Sequence, residues 1–114
     1  MVKLLACDID GTLLHGGETE VSAGVFRELR RLRDKGILFC PASGRQYASL
    51  RTLFAPLGED MACLCENGSV LFGPGGQVLS KTPLDQAKAL ALCREVVAAE
   101  GLELMAAGEN MSYL

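Results

Sequence analysis

Residues 4–14 have the sequence Leu-Leu-Ala-Cys-Asp-Ile-Asp-Gly-Thr-Leu-Leu. An apolar run of strand length is followed at once by two aspartates, a glycine and a threonine. This order predicts a buried β-strand that ends at a polar turn. Asp8 and Asp10 are two positions apart, so their side chains point to the same side if the extended geometry persists beyond the strand. The stretch therefore predicts a strand whose carboxyl end presents a pair of carboxylates.

Short β-like runs alternate with helical runs after this first strand. Such alternation is typical of an α/β fold, in which a parallel sheet is covered by helices. The predicted elements are a strand at 4–7, a helix capped by Ser22 and ended by Gly36, a strand at 37–40 stopped by Pro41, a helix at 47–57 ended by Gly58, and a strand at 62–65.

The pattern changes after the third strand. Asn67-Gly68 predicts a tight hairpin turn, and residues 74–76 predict a second turn, with short strands on either side. Thr82 is suited to cap a further helix, with Pro83 as its first residue. That helix is expected to end near residue 100, and residues 102–107 are expected to form one more strand. We therefore divide the chain into a core portion, 1–82, and the start of a second α/β unit, 83–114.

Composition limits the classes of function. The chain has 114 residues, 49% of them hydrophobic, and a net charge of −3. It lacks the dense cationic face that binds nucleic acid, and its sequence has no apolar stretch long enough for a membrane span or a signal peptide. The five cysteines are an odd set without the spacing of a secreted disulfide framework, and Cys63 and Cys65 are expected to be buried thiols on one strand face. We expect a cytoplasmic protein with neither nucleic acid nor membrane as partner.

Three polar clusters follow the three predicted parallel strands. They are 8–12, 43–45 and 66–68. Ligands of open parallel sheets bind outside the carboxyl ends of the strands, so the clusters are expected to converge on one crevice.

The aspartate pair is suited to phosphoryl chemistry. Repulsion between Asp8 and Asp10 is expected to raise the pKa of at least one of them, and Mg²⁺ would relieve that repulsion. One carboxylate could attack a phosphoryl group and the other could exchange protons with the leaving oxygen and with water. Gly11 and Thr12 are expected to offer backbone N–H groups and a hydroxyl to the phosphate.

The other two clusters add candidate phosphate ligands. Ser43 and Gly44 can donate from a hydroxyl and the backbone, and Arg45 is expected to contact either substrate or an acidic partner within the fold. Asn67 is first a turn residue, because asparagine tolerates positive φ, and second a candidate substrate contact.

Residues 8–14 resemble the first signature motif of the haloacid dehalogenase-like superfamily. The resemblance implies that Asp8 is the nucleophile, that Asp10 is the general acid and base, and that the Asp8 carboxylate and the Asp10 main-chain carbonyl bind Mg²⁺. Ser43 resembles the serine or threonine of the second motif. The segments 42–45 and 66–68 resemble the Cof-type branch, which acts mainly on sugar phosphates. The implied fold is a partial Rossmann-like sheet with a hairpin extension and the start of an α/β cap.

The resemblance covers only the first part of the family pattern. A lysine after the cap and a later acidic pair complete the family's site, and neither Lys81 nor Lys88 stands at the end of a buried strand. The first strand is expected to lie at a sheet edge. We therefore expect a weakly stable or oligomeric chain with little activity alone, which is a fragment, a truncated product or one piece of a larger enzyme. Its partner is then a second copy or the remainder of that enzyme.

Two functions remain open at this stage. The first is Mg²⁺-dependent hydrolysis of small phosphorylated metabolites through an aspartyl-phosphate, and a phosphomutase would share that nucleophile. The second is a non-catalytic phosphate-binding or structural module of the same ancestry, which the absent later motifs favour. A response-regulator receiver is disfavoured, because Glu66 stands where the phosphorylated aspartate should end the third strand.

Overall fold

The computed structural model describes all 114 residues as a sheet of five strands, three α-helices and a separate strand pair. Two short 3₁₀ turns lie at Ala55–Leu57 and Glu66–Gly68. The elements in chain order are β1 Leu4–Asp8, α1 Ala23–Asp34, β2 Leu38–Ala42, α2 Tyr47–Leu53, β3 Cys63–Cys65, β4 Val70–Phe72, β5 Val78–Lys81, α3 Gln86–Ala98, β6 Ala106–Ala107 and β7 Ser112–Tyr113.

The five-stranded sheet has the order β1-β2-β3-β4-β5. Its first three strands are parallel, and β4 and β5 extend it as antiparallel hairpin strands. The predicted α/β class, with a partly parallel sheet, covering helices and a hairpin extension, is confirmed. β1 lies at the edge of the sheet, where Leu4 and Leu5 are exposed. The division at residues 82 and 83 stays a prediction.

The helix α1 begins and ends as its sequence predicts. The Ser22 side chain accepts a hydrogen bond from the Val25 N–H, which satisfies one of the free donors at the helix start. Gly36 follows the last turn at φ +76°, a conformation that costs glycine little. Phe26 and Leu29 face the sheet and are buried.

The hydrophobic core lies between the sheet and the helices α1 and α2. At its centre Phe54 is fully buried, and its ring meets the rings of Phe26 and Phe39 edge to face at centroid distances of 6.2 and 5.2 Å. Tyr47 of α2 stacks on Phe72 of β4, with the two ring centroids 4.0 Å apart. The core therefore fixes both helices against β2 and β4, next to the carboxyl ends of the parallel strands.

Strand β2 continues through Pro41, so the prediction that this proline stops the strand is wrong. Pro41 lacks an N–H, but strand N–H groups alternate between the two neighbours. Leu38 donates to Lys3 on the β1 side, which places the missing donor of Pro41 on the β3 side. There the β2–β3 register contains one pair, Ala42 with Leu64, so little pairing is lost.

The turn between β3 and β4 also differs from the prediction. A hairpin is present, with Cys65 opposite Val70, but its loop is a 3₁₀ turn over Glu66–Gly68 and not a two-residue turn at 67–68. Both Glu66 and Asn67 have positive φ, at 50° and 55°. Their N–H groups donate to the loop after β2, and these contacts hold the longer turn.

The helix α3 begins later than predicted. Its N-cap is Asp85, whose carboxylate accepts from the Lys88 N–H at 3.0 Å, and not Thr82. The Thr82 N–H instead donates to the Ser69 carbonyl at 2.8 Å, which extends the pairing of β5 with β4. The strand expected at 102–107 is limited to β6, which pairs with β7. None of the three helices combines the length and the apolar character that a bilayer crossing requires.

Candidate active site

The loop after β1 is a tight, internally bonded turn. The N–H groups of Thr12 and Leu14 donate to the Ile9 carbonyl, and Gly11 at φ +89° donates to the Leu14 carbonyl at 2.7 Å. Ile9 is fully buried and anchors the turn. The N–H groups of Gly11 and Thr12 are therefore already used within the loop, contrary to the expectation that they would be free for phosphate.

Asp8 stands at the end of β1 with an exposed carboxylate. Its Oδ2 accepts a hydrogen bond from the Thr12 hydroxyl at 3.3 Å. Asp8 lies opposite Ala42 in the register of β1 and β2, so the next residue of that strand, Ser43, follows at the same edge of the sheet. The first and second polar clusters therefore meet, as the parallel arrangement predicts.

The loop after β2 is held by a hydrogen bond to β3 and by another within the loop itself. Ser43 is only 8% exposed; its N–H donates to the Leu64 carbonyl at 3.0 Å and its Oγ accepts from the Arg45 N–H at 3.1 Å. The N–H groups of Gly44 and Asp10 donate no hydrogen bond within the protein. These two donors and the Ser43 hydroxyl hydrogen remain available to an anion at this edge.

The third cluster packs on the second. The Asn67 N–H donates to the Ser43 carbonyl at 3.0 Å, and the Glu66 N–H donates to the Arg45 carbonyl at 3.2 Å. The Asn67 side chain is exposed, lies against Gly44 and forms no hydrogen bond within the protein. All eight candidate residues of the three clusters thus lie at one end of the sheet.

Arg45 connects the second cluster to the aspartate pair. Its guanidinium donates from Nε to Asp10 Oδ2 at 3.0 Å and from Nη2 to Asp10 Oδ1 at 2.8 Å. These hydrogen bonds lower the pKa of Asp10 from its ordinary value and raise the pKa of Arg45. The rise in pKa that repulsion was expected to cause in at least one of the two aspartates is therefore not found at Asp10. Of the two predicted roles for Arg45, the structure shows an acidic partner within the fold.

Ser49 also contacts the Arg45 guanidinium, although no motif in the sequence marks it as a site residue. Arg45 Nη1 donates to Ser49 Oγ at 3.4 Å. Arg45 precedes α2, and a residue four positions later on a helix lies over the same face, which is the signal that could have identified it. A cleft of about 390 Å³ opens beside these two residues, lined also by Thr19, Ala48, Thr52 and Leu53.

The oxygen atoms expected to bind Mg²⁺ are suited to it. Asp8 is exposed and keeps Oδ1 free of hydrogen bonds, and the Asp10 main-chain carbonyl accepts none. A carboxylate and a carbonyl are hard oxygen ligands of the kind that Mg²⁺ accepts together with waters. The Asp10 carboxylate, in contrast, is occupied by Arg45. No three side chains among His, Cys, Asp and Glu come together as a metal cluster.

Neither candidate lysine reaches the aspartates. Lys81 pairs with Glu109 at 3.0 Å, and Lys88 lies in the first turn of α3. A second contact, from the Gln46 side chain to Ser112 Oγ, also joins the C-terminal segment to the core beside Arg45. A cavity of about 650 Å³ lies beside the Lys81–Glu109 pair, and one carboxylate oxygen of Glu66, which also lines it, is buried without a hydrogen-bond partner.

Known proteins resemble the chain over most of its length. A family model described as haloacid dehalogenase-like hydrolase matches residues 5–114. The 5-amino-6-(5-phospho-D-ribitylamino)uracil phosphatase YbjI of Escherichia coli is 29% identical over 112 residues, which are 98% of this chain and 41% of that protein. The phosphatase YwpJ of Bacillus subtilis is 32% identical over 88 residues, which are 77% of this chain and 30% of that protein.

A solved structure gives the same result for the fold. A protein of Eubacterium rectale superposes with a TM-score of 0.76 and 36% sequence identity, over 85% of this chain and 36% of that one. The chain thus spans between 30 and 41% of the length of the two curated relatives.

Proposed function

Because the chain belongs to the haloacid dehalogenase-like hydrolase family, we propose that it carries the nucleophilic end of a Mg²⁺-dependent phosphatase of the Cof type for small phosphorylated metabolites, sugar phosphates among them. The observation that carries this proposal is the convergence of Asp8, Asp10 and Ser43 at the ends of two adjacent parallel strands. The phosphatase names of the relatives support the class of reaction.

Each side chain has a role in the proposed reaction. The Asp8 carboxylate attacks phosphorus, the bond from phosphorus to the ester oxygen breaks, and the leaving oxygen takes a proton from Asp10. Water then attacks the aspartyl-phosphate and gives its proton to Asp10, which releases inorganic phosphate and restores Asp8. The Ser43 hydroxyl and the Gly44 N–H hold the phosphoryl oxygens, while the Thr12 hydroxyl donates to Asp8 Oδ2 and orients the nucleophile.

The Arg45–Asp10 pair fits the second half of this cycle. It holds Asp10 as a carboxylate, the form that takes a proton from water. The first step requires the protonated form, so Arg45 has to leave Asp10 when substrate binds, and the phosphoryl oxygens are its natural new acceptor. Mg²⁺, held by the Asp8 carboxylate and the Asp10 carbonyl, would offset negative charge on the phosphoryl group.

A cytoplasmic setting is part of the proposal. All five cysteines are free, which suits a reducing compartment, and the remaining partner is either a second copy of the chain or the rest of the enzyme.

The test is hydrolysis of p-nitrophenyl phosphate with Mg²⁺ and with EDTA, by this chain and by any longer form of it. We expect Asp8→Asn to lower the rate at least about 10³-fold, as losses of a nucleophile do. Asp34→Asn, at the exposed end of α1, is the matched control and should leave the rate unchanged. Equal, measurable rates for Asp8→Asn and the unaltered protein, in a form of the chain that hydrolyses the ester, would refute the assignment of the nucleophile.

A non-catalytic phosphate-binding module is the second candidate, and the double hydrogen bond from Arg45 to Asp10 favours it, because both oxygens of the acid–base group are occupied. Beryllofluoride with Mg²⁺ separates the two functions, since it mimics a phosphoryl group on a nucleophilic carboxylate. A ¹⁹F signal that disappears in Asp8→Asn supports the enzyme. Phosphate binding without that signal and without hydrolysis supports the module.

A further inference from the structure

Gly44 is a glycine for a reason other than its backbone angles. It is not among the glycines with positive φ, so an alanine could adopt its backbone conformation. The obstacle is a neighbouring side chain: a methyl group on Gly44 would lie 3.0 Å from Asn67 Oδ1 and 3.2 Å from Asn67 Nδ2. These distances are shorter than ordinary van der Waals contact. The Asn67 amide therefore fills the space that a side chain at position 44 would take.

The turn that carries Asn67 is itself fixed on the same loop. Asn67 has φ 55° and ψ 33°, a left-handed conformation that asparagine adopts more readily than most residues. This conformation directs its N–H to the Ser43 carbonyl, and Glu66, also at positive φ, donates to the Arg45 carbonyl. Residues 66–67 thus contact three consecutive residues of the loop, the outer two by hydrogen bonds and the middle one by the amide.

We propose that Asn67 is a positioning residue for the loop 43–45. Its amide packs against Gly44 and fixes the position of that backbone, and thereby the location of the Ser43 hydroxyl and the Gly44 N–H. The proposal rests on the function proposed above where it concerns phosphate. It deepens that function, because it assigns Asn67 an action through Gly44, whereas its sequence alone suggests a turn residue or a direct substrate contact. The side chain of Asn67 and the absence of a side chain at Gly44 form one matched pair.

The experiment is a cycle of Gly44→Ala, Asn67→Gly and the double variant. Glycine at position 67 keeps the left-handed turn at no steric cost while removing the amide, so the main-chain hydrogen bonds persist. Gly16→Ala is the matched control, because Gly16 also lacks a positive φ and a methyl group there would meet nothing within 4 Å. The readouts are the Kd of inorganic phosphate with Mg²⁺ and the amide NMR resonances of residues 43–45, with kcat and KM wherever hydrolysis is measurable.

We expect Gly44→Ala to weaken phosphate binding by on the order of tenfold or more, because displacement of ligands by a fraction of an ångström is costly in a preorganised site. Asn67→Gly alone should also weaken phosphate binding and shift the resonances of residues 43–45, because the amide that fixes Gly44 is gone. In the double variant the methyl group of residue 44 takes the vacated space, which should recover most of either loss. If Gly44→Ala does not fold, recovery of a folded spectrum in the double variant supports the proposal equally. Gly16→Ala should match the unaltered protein.

Two results would overturn the proposal: unchanged affinity and resonances in either single variant, or a double variant no better than Gly44→Ala. A protein that binds no phosphate in its unaltered form would defeat the proposed function alone. In that case the resonances of residues 43–45 still decide whether Asn67 sets the loop.

Discussion

The guanidinium of Arg45 holds both carboxylate oxygens of Asp10, at 2.8 and 3.0 Å, across 35 residues of sequence. The pair joins the loop after β1 to the loop after β2. Two parallel N–H···O bonds fix the relative orientation of the two groups as well as their distance. The Asp10 side chain is 60% exposed, so water screens the pair, and its main consequence is the protonation state of Asp10 and not the stability of the fold.

Replacement of Arg45 by glutamine should raise the pKa of Asp10 toward its ordinary value, because the hydrogen bonds that lower that pKa are lost. A ¹³C NMR titration of the Asp10 carboxyl without Mg²⁺ measures the change. Arg31→Gln is the matched control, since its ion pair with Glu28 lies on α1 away from the site. An unchanged Asp10 midpoint in Arg45→Gln would show that the pair does not persist in solution.

The same ion pair predicts the sign of a pH effect on stability. The pKa of Asp10 is lower in the folded protein than its reference value of 3.8, so the pair stabilises the fold above that pH. Its contribution disappears as the pH falls through the lower folded value. The difference in unfolding free energy between the unaltered protein and Arg45→Gln should therefore shrink in acid. Urea unfolding at several pH values measures this difference. A difference that stays constant with pH would contradict the prediction.

Much of the fold could be predicted because local signals and tertiary structure agree. Ser22 and Gly36 bound α1, and the alternation of apolar runs predicts the parallel strands. The errors at Pro41 and Thr82 share one cause. Each residue has a strong local preference that is outweighed by strand pairing, with β1 in the first case and with β4 in the second.

The convergence of the three polar clusters could be predicted from the sequence, but the contacts among their side chains could not. The three clusters were expected to converge because parallel strands end at one edge, and they do. Nothing in the sequence selects Asp10 as the partner of Arg45, because the two are 35 positions apart and a substrate was an equal possibility. The contact between Gly44 and Asn67 could not be predicted from the sequence either. The turn preference of Asn67-Gly68 already explains the asparagine without a distant partner.

The start of α3 provides a direct test of the corrected cap. Asp85→Ala should cost about 1 kcal/mol of helix stability, because the Lys88 N–H loses its acceptor, whereas Thr82→Ala should leave the first turn unchanged. Amide hydrogen exchange at Lys88 and Ala89 measures the effect. Faster exchange in Thr82→Ala than in Asp85→Ala would restore Thr82 as the cap.

The paired thiols of β3 should be unreactive in the folded protein. Burial raises the pKa of Cys63 to about 12 and that of Cys65 to about 11, and neither side chain is accessible. Iodoacetamide at pH 8 should therefore modify the half-buried Cys93 before Cys63 and Cys65, and mass spectrometry after urea treatment should show Cys63 and Cys65 to react freely. Equal rates for the three thiols in the native protein would contradict the buried position of β3.

These thiols also predict a loss of stability in base. In the unfolded chain they ionise near their reference pKa of 9.0, whereas the fold keeps them neutral up to the raised values. Stability is then complete below about pH 9 and falls as the pH rises toward the folded values. Cys63→Ala/Cys65→Ala should lose stability less steeply with pH above 9 than the unaltered protein, as measured by urea midpoints.

Among the core residues, Phe54 is where truncation is expected to lower the stability most. It has no exposed surface, and its ring contacts both Phe26 and Phe39. Phe54→Ala should cost about 3–5 kcal/mol, since the cavity adds to the lost transfer energy, and Phe54→Leu should cost less because it leaves a smaller cavity. Leu84→Ala is the matched control: Leu84 is 79% exposed and its loss should change stability by about 0.5 kcal/mol or less. The measurement is urea unfolding. Because ordinary domains have a small total stability, Phe54→Ala should unfold at low urea or lack a cooperative transition. A midpoint for Phe54→Ala equal to that of Leu84→Ala would mean that the aromatic cluster does not form the centre of the core.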